Sequence, residues 1–123
     1  MTASSAGLHE DAEKLRPETI DRHRAVASLM EELEAVDWYD QRIDAASDAE
    51  LKTLLAHNRD EEKEHAAMVL EWLRRRDARL DEHLRTYLFT DKPLLQIEHE
   101  AEHGADAGGA ASDGCLNIGS LRK

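Results

Sequence analysis

Apolar residues recur along this chain at helical spacing, in two long runs. The first stripe is Val26, Leu29, Met30, Leu33, Val36 and Ile43. The second is Leu51, Leu54, Leu55, Val69, Trp72 and Leu73. Both follow the i, i+3, i+4, i+7 rhythm of an amphipathic helix. Between residue 18 and about residue 91 the chain is nearly free of helix breakers and rich in Glu, Ala, Leu, Arg and Lys, all good helix formers. The pattern predicts one helix from Glu18 to Ala46 and another from Ala49 to Arg76. Ser47 or Asp48 caps the second, and a short third helix spans Ala78 to Phe89. Two long helices with a tight turn make an antiparallel hairpin. The expected organisation is a flexible segment over 1–17, a helical domain over 18–91, a flexible acidic and Gly-rich linker over 92–115, and an apolar tail over 116–123. Within that linker, residues 92–103 have weak helical character, and Gly104 to Gly114 read as a tether.

The stripe of the second helix contains an anomaly. At about 100° per residue, Leu51, Leu55, Val69 and Leu73 all fall within about 20° of the direction of Glu62. A carboxylate at the centre of an apolar stripe costs several kcal/mol unless something compensates it. His65 follows at i+3, so Glu62 and His65 form a Glu-x-x-His unit projecting from one face. On the first helix, Glu32 lies on the same side as Val36 and Ile43. One Glu and one Glu-x-x-His are half the ligand set of a ferritin-like di-iron bundle, which takes two of each from four helices. His57 and His83 follow Leu54 and Leu80 at i−3, so neither starts a second copy. The ligand count therefore predicts an all-α fold in which two chains pair into a four-helix bundle, the two-fold axis supplying the missing half. Carboxylate and imidazole donors suit iron or manganese, with no thiolate nearby to favour zinc. Tyr39 lies close in angle to Glu32. It is either a hydrogen-bond partner of a ligand or an interface tyrosine.

Charge narrows the partners. The 123 residues hold 27 acidic and 16 basic side chains, a net charge of −11, which argues against nucleic acid and anionic membranes. Glu31, Glu34 and Asp37 form either a cation-attracting approach or a solvated helix face. The segment bearing His99 and His103 reads as solvated tail with at most loose metal affinity. With 41% hydrophobic but only 4% aromatic residues, a lone chain would have a thin core, so association is expected. No apolar run approaches the ~20 residues of a membrane span. The first residues lack the order of a signal peptide, and Cys115 is a lone thiol, so a cytoplasmic location is expected.

The stretches MEELEAVDWYDQR (Met30 to Arg42), HNRDEEKEHAAMVLEWLRR (His57 to Arg75) and HLRTYLFT (His83 to Thr90) resemble the encapsulated ferritins. The resemblance implies ferroxidase activity, with iron ligands at Glu32, Glu62 and His65. It also implies an outer metal-uptake site at Glu31 and Glu34, and places Trp38 and Tyr39 near the ferroxidase centre. It implies dimers that assemble into an open ring of five. LNIGSLRK (Leu116 to Lys123) resembles the peptides that dock cargo inside encapsulin shells. The expected function is oxidation of Fe(II) to Fe(III) at a di-iron site between two subunits, feeding mineral storage inside an encapsulin nanocompartment. A non-catalytic metal-binding cargo protein and a di-iron protein with peroxidase-type activity are the alternatives.

Overall fold

The computed structural model describes residues 7–108. The tail from Leu116 to Lys123, Cys115 and most of the Gly-rich stretch lie outside the described residues. The elements are α1 (Pro17–Ala45), α2 (Ala49–Arg75), α3 (Ala78–Tyr87) and α4 (Leu94–Gly108), preceded by a 3₁₀ turn over Ala12–Lys14. No strand occurs among the described residues, and none of their helices is long and apolar enough to cross a membrane. The chain divides after Ala78 into two compact units.

The first unit is the antiparallel hairpin of α1 and α2. Pro17 opens α1, where its missing N–H removes a donor that has no intrahelical partner anyway. Asp48 caps α2, its Oδ2 accepting a 2.8 Å hydrogen bond from the Leu51 N–H. Between the helices, Arg59 on α2 donates to Asp40 on α1 at 2.9 Å, and His65 approaches Glu32. These two cross-helix contacts lie about two turns apart and set the register.

The hairpin buries little. Ala66 and Leu73 are its buried hydrophobic residues, whereas Val26, Leu33, Leu51 and Leu54 on the two stripes stay 41–55% exposed. Two helices cover only part of each other's stripes.

At the end of α2, Glu71 accepts from both Arg74 and Arg75 at 2.7 Å. These two guanidinium groups hold its carboxyl down at about 2, below the ordinary 4.5. A carboxyl depressed by folding contributes stability that is complete above its unfolded value and is lost as pH falls through the folded one. Glu71→Gln is therefore expected to flatten the acid dependence of melting temperature between about pH 4.5 and 2. Thermal melts of both proteins across that window check this; parallel curves would refute it. The effect is small, because the group is exposed.

In the second unit, α3 ends before Phe89, whose φ of 62° lies in the left-handed region. α4 begins after Pro93, whose carbonyl accepts from the Gln96 and Ile97 N–H groups. Glu100 is held from the same side by Lys92 at 3.1 Å and Gln96 at 3.0 Å. The stretch expected as flexible linker from residue 92 is thus helical over Leu94–Gly108, past Gly104. The reason is cooperative: nucleation is the costly step, and one interior glycine costs only about 1 kcal/mol.

Candidate metal centre

Glu32 comes from the middle of α1, and Glu62 and His65 from one turn of α2. Folding the hairpin brings the three together, each offering one ligand atom, all within 4.8 Å of one another. His65 Nδ1 lies 3.3 Å from Glu62 Oε1 and 3.6 Å from Glu32 Oε1. No other group of three or more such side chains occurs among the described residues. First-row ions bind these donors at about 2.0–2.2 Å, so one ion spans ligand atoms up to about 4.4 Å apart. Small side-chain adjustments suffice to close the set. Two carboxylates, one imidazole and no thiolate fit a hard or borderline divalent ion such as iron.

The cluster is built against electrostatic cost. A hydrogen bond between the carboxyl groups pushes Glu32 above its ordinary range, aided by burial, and holds Glu62 below it. Each acid's shift is thus set first by the other, as in close carboxyl pairs. His65 is pushed up, first by its hydrogen bond to Glu62 and then by the charge of both carboxylates. An arriving cation would supply positive charge between the two acids. The side chains of Glu32, Glu62 and His65 are 25%, 26% and 44% exposed, so the cluster is open to solvent, and three donors alone leave coordination positions unfilled by this chain.

The other candidate residues are not members of this three-residue group. Tyr39 is half-buried and lies one heptad from Glu32, but its described contact is with Arg42, whose guanidinium carbon is 5.5 Å from the ring. Arg42 also lies 6.0 Å from the exposed Trp38 ring. Glu31 is exposed and Glu34 half-buried on α1. Asp37 accepts from Gln41 at 3.1 Å. Sequence reasoning missed the Arg59–Asp40 tie, because a contact across the hairpin needs the register, and no local signal carries it.

A helical hairpin with a glutamate on one arm and Glu-x-x-His on the other carries half the ligand pattern of the ferritin-like carboxylate bundles, and so defines a ferritin-like protein with a candidate metal site. Residues 7–91 match the EncFtn-like family, and the chain belongs to that family. It is 60% identical to the encapsulated ferritin-like protein of Rhodospirillum rubrum, across 99% of this chain and 92% of that relative. It is 32% identical to an encapsulin nanocompartment cargo protein of Myxococcus xanthus, across 75% of this chain and 77% of the relative. A crystal structure of a Nitrosomonas europaea protein superposes with a TM-score of 0.69 at 62% identity, covering 71% of this chain and 96% of that one.

Proposed function

We propose that two copies of this chain pair across the open face of the hairpin and oxidise Fe(II) to Fe(III) at a two-iron site between them. The observation that carries this reading is the convergence of Glu32, Glu62 and His65 into half of such a ligand set. A second copy related by a two-fold axis brings the other half and covers the stripe residues that the hairpin leaves bare.

Iron is the substrate. Two Fe(II) ions give up one electron each, and dioxygen takes the two electrons and two protons to leave as hydrogen peroxide. The glutamates favour the product side, since carboxylate oxygen stabilises the more highly charged ion. The protein's part is to fix two ions side by side and leave positions open to the oxidant. Glu31 and Glu34 serve as an outer uptake site, drawing cations from solution. Tyr39, on the Glu32 side of α1, hydrogen-bonds a ligand once the partner chain closes the site, with Trp38 beside it.

The setting is the interior of an encapsulin shell. Two relatives carry encapsulation in their names, and the tail Leu116 to Lys123 turns apolar after a polar stretch, as a docking peptide would. Titrating Fe(II) into the purified protein, while following oxidation and particle mass together, tests the whole reading. It expects one pair of irons oxidised per pair of chains, and the mass tells a lone pair from a ring of five. Metal-dependent pairing with oxidation no faster than buffer would instead show a non-catalytic metal-binding protein.

A further inference from the structure

The helix α4 carries two histidines for which the hairpin site has no use. His99 and His103 stand at i and i+4, so they share one face of the helix. Their rings stack with centroids 4.0 Å apart and planes inclined by 30°. Both residues are exposed. His103 Nδ1 lies 2.9 Å from the backbone carbonyl oxygen of His99. A carbonyl can only accept, so Nδ1 carries the hydrogen. A neutral imidazole has one N–H, and with it at Nδ1 the lone pair of His103 sits at Nε2. Such a hydrogen bond on one ring nitrogen is what orients a metal-binding imidazole and raises the basicity of the other.

We propose that His99 and His103 form a second cation site, a two-imidazole clamp for a borderline divalent ion of the Zn²⁺, Ni²⁺ and Cu²⁺ class. Metal–imidazole bonds of about 2.0–2.1 Å require ligand nitrogens within about 4.2 Å of each other. The ring centroids stand 4.0 Å apart, the same scale as that separation, and both side chains are exposed and able to turn their ring edges toward one ion. Glu98 and Glu102 are close in sequence and attract cations to this stretch. Glu100 is already held by Lys92 and Gln96. Two nitrogen donors favour Cu²⁺, Ni²⁺ and Zn²⁺ over Fe²⁺ and Mn²⁺. The clamp therefore differs in preference from the carboxylate-rich cluster on the hairpin. An ion held by successive turns also ties α4 together.

The test uses the full chain carrying Glu32→Ala, Glu62→Ala and His65→Ala, so that the hairpin ligands are gone, titrated calorimetrically with Zn²⁺ alone. Binding of about one zinc per chain is expected to persist, and adding His99→Ala or His103→Ala to weaken it at least about tenfold, as even the outer partners of metal ligands carry that much. A companion variant pairs Ala101→His with His103→Ala. It keeps two imidazoles but sets them about 200° apart around the helix, and it should bind no better than a single-histidine variant. Alanine favours helix, and far-ultraviolet circular dichroism verifies that α4 is retained. Zinc binding unchanged after loss of both histidines, or full affinity in the companion variant, would overturn the proposal.

Discussion

Glu62→Gln is expected to reduce Fe(II) oxidation at least about 100-fold, toward the rate of buffer, because even indirect partners of metal ligands contribute ~10–100-fold and Glu62 is itself a ligand in the proposed site. The substitution keeps shape and removes charge. It should leave the apoprotein at least as stable, since Glu62 is a quarter exposed and stands beside a second carboxyl group, Glu32. Loss of activity without loss of melting temperature is the signature of a ligand rather than of a structural residue. Glu32→Gln and His65→Ala should behave alike. Ligands acting as a unit lose most of their effect at the first removal, so the triple variant should be little worse than any single one. The measurement is initial-rate absorbance of Fe(III) under air, beside thermal melts. Wild-type turnover in the triple variant would show that the oxidation occurs elsewhere.

Leu51→Lys should abolish the activity with every ligand intact. Leu51 points within about 20° of Glu62 around α2 and is 43% exposed in the single chain. A lysine there costs the isolated hairpin little, within about 0.5 kcal/mol for a surface position. In the proposed pair the same position is covered twice, once on each chain. A lone charge buried in an interface costs several kcal/mol, and each 1.4 kcal/mol is a factor of ten in the pairing constant. Particle mass should therefore fall to that of the single chain at concentrations where the parent is paired. Oxidation should fall with it and recover as protein concentration is raised. A variant that stays paired and active would place the pairing face elsewhere on the hairpin.

Much of this architecture was legible in the order of residues. Helical periodicity, Pro17 and Asp48 are local signals, and they placed the long helices to within a residue or so of α1 and α2. The short third helix was marked likewise. The end of the fourth was not, because Gly104 looks like a break while cooperative elongation carries the helix through it. For the site, Glu-x-x-His on an apolar stripe pointed to Glu62 and His65 by spacing alone, since i and i+3 share a face whatever the rest of the chain does.

What the sequence by itself determined is therefore the set of elements, their apolar faces and the candidate donors, all of which depend on neighbours within a turn or two. The tertiary structure decided the distances: that Glu32 on α1 meets His65 on α2 at 3.6 Å, that Asp40 on α1 meets Arg59 on α2 at 2.9 Å, and that the cluster stays part-exposed. Those facts depend on how two helices slide and rotate against each other. That is a balance of many weak contacts between residues far apart in the chain, and no local pattern encodes it.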